Sequence, residues 1–115
     1  MGFATCAWCV GTNITDRATA ERACSAVLAV LGERAVSASL DAISDFADLM
    51  PHEVVAAKEE LVRLDGRDVG IALDLHRSAH RQLLHVFAPW SIHVDIFDDE
   101  DRLIANFHDC GHDVV

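Results

Sequence analysis

The sequence lacks the features that mark several large functional classes. No apolar run approaches the roughly 20 residues that a membrane span requires, and no Pro/Gly/Ser-rich linker, repeat or low-complexity segment divides the chain. A Gly-rich phosphate loop, a dinucleotide fingerprint and a G-x-S-x-G elbow are also missing. These absences argue against a transmembrane protein and against the enzyme classes that such motifs mark. We expect a single domain over residues 1–115.

Basic residues are scarce as well. Nine Lys and Arg stand against 19 Asp and Glu, for a formal net charge of −10, and Lys58 is the one lysine. A surface of this sign repels a phosphate backbone, so we expect no direct nucleic-acid binding. It attracts a basic protein, because long-range electrostatic attraction raises association rates. Eight arginines and seventeen alanines are typical of a high-GC bacterial coding bias.

The four cysteines are expected to be reduced. The first residues show neither the basic segment nor the long apolar stretch of a secretory signal, which predicts a cytoplasmic protein. In that compartment thiols such as Cys6, Cys9, Cys24 and Cys110 rarely form disulfides. A chain of 115 residues with 51% hydrophobic residues can bury a core without disulfides or metal.

Helical patterns dominate the first half. Thr15 or Asp16 can N-cap a helix that runs through about Leu31 and stops at Gly32. Its predicted inward stripe is Ala20, Ala23, Val27, Val30 and Leu31, with Cys24 on the same side as a small core residue. A second helix is predicted from Pro51, with Glu53 in its first turn and an end at Asp65-Gly66. Its expected buried stripe is Val54, Ala57, Leu61 and Leu64.

The remaining segments of the first half are less regular. Residues 34–50 fit either period: Val36, Ala38 and Leu40 alternate like a strand, whereas the residues from Leu40 to Met50 recur at helical spacing. We favour a helix that begins near Ser39. Residues 3–10 are interpreted as a short strand and residues 11–13 as a turn.

After Gly66 the hydrophobic period changes to two. Four strands are predicted, centred on Val69–Leu75, Leu84–Ala88, Ile92–Ile96 and Leu103–Phe107, and an antiparallel meander is their simplest arrangement. We therefore expect an α+β fold in which N-terminal helices pack on one face of a mainly antiparallel four- to five-stranded sheet formed by the C-terminal half. The alternative makes residues 72–86 a helix, because Leu73, His76, His80 and Leu84 also fit a helical stripe.

The last hairpin carries the leading functional hypothesis. Matching its apolar faces pairs Ile96 with Leu103, Val94 with Ala105 and Ile92 with Phe107, and leaves Asp98–Asp101 as an acidic loop. The predicted partner-binding residues are Asp95, Asp98, Asp99, Glu100 and Asp101, with Trp90 as an aromatic anchor.

The opposite face of the predicted sheet is polar. Pairing Leu73 with Val86 and Val86 with Val94 places Asp74, His85, Asp95 and Ile104 in one row, with His93 beside Asn106 and diagonal to His108. A histidine between two carboxylates can act as a general acid or base, bind a metal or present charge to a partner. The alternative is a row of ordinary solvated side chains.

A metal site at the chain ends is a further hypothesis. Cys6 and Cys9 have C-x2-C spacing, and Cys110 with His112 could complete a tetrahedral zinc site if the two ends meet. His76 and His80 have H-x3-H spacing but lack the glutamate of a metalloprotease helix, which favours two exposed histidines.

Taken together, size, charge and the missing catalytic motifs favour a binding protein over an enzyme. We expect a small acidic inhibitor of the immunity-protein or antitoxin kind that binds a basic protein partner through its C-terminal hairpin. A toxin or a nuclease is the kind of partner that this hypothesis names. The competing hypothesis is a small metal- or ligand-binding protein that uses the Cys/His ends or the His/Asp sheet face. A homodimer formed through a sheet edge or the open face is a third.

Overall fold

Helices and strands alternate along the chain in the computed structural model, which describes residues 17–45 and 47–108. The helices are α1 (Arg17–Leu31), α2 (His52–Asp65) and α3 (Ser78–Phe87), and the strands are β1 (Ser37–Leu40), β2 (Ile71–Asp74), β3 (His93–Phe97) and β4 (Leu103–His108). Short 3₁₀ turns cover Gly32–Arg34, Ala47–Leu49 and Ala88–Trp90. The predicted α+β class is confirmed.

The four strands form one antiparallel sheet in the order β2-β1-β3-β4. β1 comes from the first half of the chain and lies between β2 and β3, so the predicted meander is wrong. The prediction of a helix beginning near Ser39 is wrong too, because the alternation of Ala38 and Leu40 with the two serines places both apolar side chains in the core. The strand alternative for this segment is therefore the correct one, and its pairing with strands distant in the chain outweighs the helical spacing that begins at Leu40.

Helix α1 ends where the sequence predicts. Gly32, which has a positive φ of 51°, follows Leu31 directly. The buried stripe is Ala20, Cys24, Leu28 and Leu31, whereas Val30 is 62% exposed. The inward face is therefore rotated by about one residue from the predicted stripe. Its predicted N-cap residues, Thr15 and Asp16, lie outside the described residues.

Helix α2 follows its local signals closely. Pro51 is the extended residue immediately before the helix, and Gly66 ends it in the left-handed conformation, with φ 74° and its N–H bonded to the carbonyl of Val62. Val54, Ala57 and Leu61 are buried as predicted, whereas the last stripe residue, Leu64, is exposed.

The segment after Gly66 combines both sequence interpretations. The first predicted strand is confirmed over Ile71–Asp74, but the strand predicted over residues 84–88 is wrong, because Ser78–Phe87 is helical. A tight turn joins them: Asp74 Oδ1 accepts the N–H of His76 at 3.1 Å, and His80 Nδ1 accepts the N–H of Asp74 at 3.0 Å. Leu84 and Phe87, three residues apart on α3, are fully buried.

Two side chains tie these elements together. Arg81 of α3 donates from Nε to the carbonyl of Leu75 at 3.0 Å, from Nη1 to that of Gly32 at 3.2 Å and from Nη2 to that of Ala35 at 2.7 Å. Ser91, fully buried, donates from Oγ to the carbonyl of Asp41 at 2.6 Å, and that Oγ accepts the N–H of His93 at 3.1 Å. The first set joins α3 to the end of α1, and the second joins the end of β1 to the start of β3.

The register of the last hairpin differs from the predicted one by two residues. Val94 pairs with Phe107 and Ile96 with Ala105, and a bulge follows Ile96 before Phe97 pairs with Leu103. A shift of two residues preserves the side-chain faces, so Val94, Ile96, Ala105 and Phe107 are nevertheless buried as predicted, whereas Ile92 and Leu103 are only half-buried. The bulge leaves Ile104 as an extra residue, also buried.

One core joins the helices to the inward faces of the strands. Its fully buried large side chains include Leu40, Leu61, Ile71, Leu84, Phe87, Val94 and Ile96. Within residues 17–45 and 47–108, no helix has the length and apolarity needed to cross a membrane. The strand and turn predicted over residues 3–13 lie outside these ranges.

Candidate functional site

The acidic loop between β3 and β4 is organised by its first residue. Asp98 is only 8% exposed, and its Oδ1 accepts the N–H groups of Glu100 at 2.9 Å and Arg102 at 3.0 Å. Its Oδ2 accepts Nε–H of Arg102 at 2.9 Å. The main chain closes the same turn, since Asp98 N–H donates to the carbonyl of Arg102 at 3.0 Å and Asp101 N–H to that of Asp98 at 3.1 Å.

This geometry sets the ionisation of the pair. The backbone N–H of Arg102, then that of Glu100 and the Arg102 guanidinium, hold the pKa of Asp98 below its usual range, although desolvation opposes them. Asp98, and to a smaller extent Glu100, raise the pKa of Arg102. Asp98 is therefore ionised at neutral pH, and its carboxylate is bonded to groups within the loop.

The three acids that follow Asp98 face solvent. Asp99, Glu100 and Asp101 are all exposed, and Asp101 has a positive φ of 64°, a conformation that Asp tolerates better than most residues. Arg102 approaches Glu100 at 3.7 Å, and among the described residues no cation pairs with Asp99 or Asp101. The loop therefore presents carboxylates from a hydrogen-bonded turn.

A shallow depression of about 400 Å³ lies beside the loop. Its lining comes from the loop, the turn after α1 and the turn after β2: Glu33, Arg34, Val36, His76, Asp98, Asp99 and Arg102. Two arginines and three carboxylates thus line this depression, whereas the exposed residues Asp99–Asp101 of the loop are all acidic.

Trp90 does not join the acidic loop. It lies in the 3₁₀ turn before β3, whereas the loop follows β3, and the strand between them is about 16 Å long at roughly 3.3 Å per residue. The indole is only 4% exposed. The structure therefore separates Trp90 from the carboxylates with which the sequence analysis grouped it.

The outward face of the sheet holds a histidine–carboxylate pair. His93 Nε2 and Asp95 Oδ2 of β3 lie 2.9 Å apart, and both side chains are partly buried. Asp95 pairs with Ser39 of β1 on one side and Asn106 of β4 on the other, while His93 pairs with residue 108. The predicted neighbours differ, because the actual register places Asn106 beside Asp95 rather than beside His93.

Other members of the predicted polar row are elsewhere. His85 is exposed on helix α3 rather than on the sheet, so its predicted position between Asp74 and Asp95 is wrong. That prediction depended on the strand over residues 84–88. Asp74 is exposed at the end of β2 and organises the turn into α3, and Ile104 is buried. His108 ends β4 in register with His93.

The predicted zinc ligands Cys6, Cys9, Cys110 and His112 all lie outside the described residues. Within the part that the structure does describe, no three His, Cys, Asp or Glu side chains form a metal-binding group. Cys24, the remaining cysteine, is buried in α1 as predicted.

Two parts of the site escaped the sequence analysis. The closure of the loop by Arg102 depends on its hydrogen bonds to Asp98, and the sequence shows this residue only as one positive charge after four acids. Ser39 was not predicted beside Asp95, because β1 was interpreted as helical. Comparisons with protein family models, with curated proteins and with solved structures give no significant match.

Proposed function

We propose that this protein is a small acidic binding protein, of the immunity-protein or antitoxin kind, that inhibits a basic protein partner through the loop between β3 and β4. The observation that carries the proposal is that one acid of the loop is bonded within the turn while the three acids that follow it are exposed. Asp98 and Arg102 close the turn, which leaves Asp99, Glu100 and Asp101 exposed on a short hairpin. Binding then needs little further ordering of the loop.

Charge supports the same reading. Seven acids and one arginine lie from Ser91 onward, within a chain whose net charge is −10. Electrostatic complementarity of this kind steers encounter with a basic protein and repels nucleic acid. The partner class that fits is a cationic protein such as a toxin nuclease, which a cytoplasmic inhibitor would block by covering its basic substrate-binding surface.

The test compares two charge-matched variants. D99N/E100Q/D101N removes the three exposed loop charges and retains Asp98, whereas D48N/E59Q/D68N removes three exposed charges elsewhere. Asn at position 101 also tolerates the positive φ. We expect immobilised wild-type protein and the second variant to retain a basic protein from a bacterial lysate at low salt, and the loop variant to lose it. Equal retention by both variants, or capture of no basic protein by wild type, contradicts the proposal.

A second candidate function rests on the His93–Asp95 pair. The imidazole of His93 lies 2.9 Å from the Asp95 carboxylate, with Ser39 and Asn106 in the neighbouring register positions, and these polar groups would bind a small ligand or a metal on the outward face of the sheet. The measurement is calorimetric titration of wild type and H93Q with Zn²⁺. Tighter binding by wild type supports a site at this pair, and equal binding opposes it.

A further inference from the structure

A groove separate from the acidic loop lies where the three helices meet the 3₁₀ turn Ala88–Trp90. It has a volume of about 220 Å³ and is open to solvent. The residues that matter for its chemistry come from all four elements: Glu21 of α1, Glu53 of α2, His85 and Val86 of α3, and Pro89 and Trp90 of the turn. No part of β3, β4 or their loop contributes to it.

The floor of the groove is aromatic and apolar. Trp90 is only 4% exposed, Pro89 is buried and Val86 is partly buried. The turn that carries the indole is held at its end by Ser91, whose N–H donates to the carbonyl of Ala88 at 3.2 Å. The floor is therefore fixed before any ligand arrives.

The rim is acidic. Glu21 and Glu53 are both exposed, His85 is the third titratable group of the lining, and no Lys or Arg side chain of residues 18–45 and 47–107 belongs to it. Among the side chains of residues 18–45 and 47–107, none forms an ion pair with either carboxylate. Glu53, in the first turn of α2, also interacts favourably with the positive end of that helix.

We infer that this groove binds the side chain of a lysine or arginine from a protein partner. The methylene stem would lie against Val86, Pro89 and the Trp90 indole, and the charged head would lie near Glu21 and Glu53. Long basic side chains combine an apolar stem with a cationic tip, and a cation close to an indole gains a further electrostatic attraction. An open groove of this size accepts one such side chain and leaves the ligand's main chain outside. The inference does not depend on the acidic loop.

The test measures binding by the fluorescence of the Trp90 indole. The chain has two tryptophans, so W8F leaves Trp90 as the sole indole. In that background, indole fluorescence is titrated with N-acetyl-lysine amide, with N-acetyl-arginine amide and with the uncharged N-acetyl-norleucine amide. We expect the fluorescence to change and saturate at millimolar concentrations of the lysine or the arginine derivative. The norleucine derivative should bind about tenfold more weakly or worse. Spermidine is titrated in parallel to detect preference for a free polyamine.

Two matched variants locate the binding. E21Q/E53Q should weaken binding of the basic derivative about tenfold, whereas E59Q/D68N, which removes two exposed charges elsewhere, should leave it unchanged. Urea midpoints of both variants show whether either has lost stability. The inference is overturned if the lysine and norleucine derivatives bind equally well or if the two variants bind the basic derivative equally well. It is also overturned if spermidine alone saturates the fluorescence change. D99N/E100Q/D101N should bind like wild type, so failure here is separate from failure of the proposed loop function.

Discussion

The carboxylate of Asp98 and the guanidinium of Arg102 lie 2.9 Å apart across the loop between β3 and β4. The same carboxylate also accepts the backbone N–H of Arg102 at 3.0 Å. Asp98 therefore acts on the loop's conformation, and the residues between the two partners are displayed outward as a consequence.

Replacement of Asp98 by Asn should destabilise the fold at neutral pH. The backbone N–H of Arg102 is the largest cause that holds the pKa of Asp98 below its usual range. A depressed folded-state pKa contributes stability above the unfolded-state pKa of about 4, and that contribution is lost as pH falls through the folded-state pKa. Urea midpoints should thus be lower for D98N near neutral pH, and the difference from wild type should shrink progressively as the pH falls below about 4. A pH-independent difference, or none at neutral pH, contradicts this assignment.

Replacement of Ser91 by Ala should cost about 1–3 kcal/mol of unfolding free energy, because the carbonyl of Asp41 and the N–H of His93 lose a buried partner. Urea denaturation measures the change. Ser25, exposed on α1, provides the control, since S25A should leave stability within about 0.5 kcal/mol of wild type. Equal effects of both substitutions would show that the Ser91 hydroxyl does not stabilise the join between β1 and β3.

Arg81→Lys should also destabilise the fold, by about 1–3 kcal/mol. The guanidinium donates to three carbonyls in a fixed fork, and a lysine ammonium cannot reproduce that geometry. R77K, at the exposed position immediately before α3, is the matched control and should be nearly neutral. Thermal or urea unfolding separates the two, and a neutral R81K would mean that the three contacts add no net stability.

The parts of the fold that were predicted correctly depend on local signals. Helix α2 begins after Pro51 and ends at Gly66 because proline restricts φ and glycine tolerates the left-handed conformation. Strands β3 and β4 were located by strict alternation of Val94 and Ile96, and of Ala105 and Phe107.

The errors arise where distant contacts decide the structure. Leu84, Val86 and Ala88 alternate like a strand, yet their segment folds as α3 with Leu84 and Phe87 packed into the core. In β1 the strand-like alternation of Ala38 and Leu40 competes with the helical spacing that begins at Leu40, and the pairing with β2 and β3 that decides between them involves residues distant in the chain.

For the site, composition predicted an acidic loop but could not reveal which acid closes it. Asp98 and the exposed Asp99 are the same residue type, and only the hydrogen bonds from Glu100 and Arg102 distinguish their roles. The His93–Asp95 pair could be expected from their spacing of two on one strand, whereas its neighbours could not, because they depend on the register.

The most direct test of the proposed function is the association rate of the captured basic partner with wild type, D99N/E100Q/D101N and D48N/E59Q/D68N. Steering by the exposed loop predicts a rate constant about tenfold lower for the loop variant at low salt, a smaller change for the control, and convergence of all three at high salt. Equal rate constants for the two variants at low salt would contradict the account, because net charge rather than the loop would then govern binding.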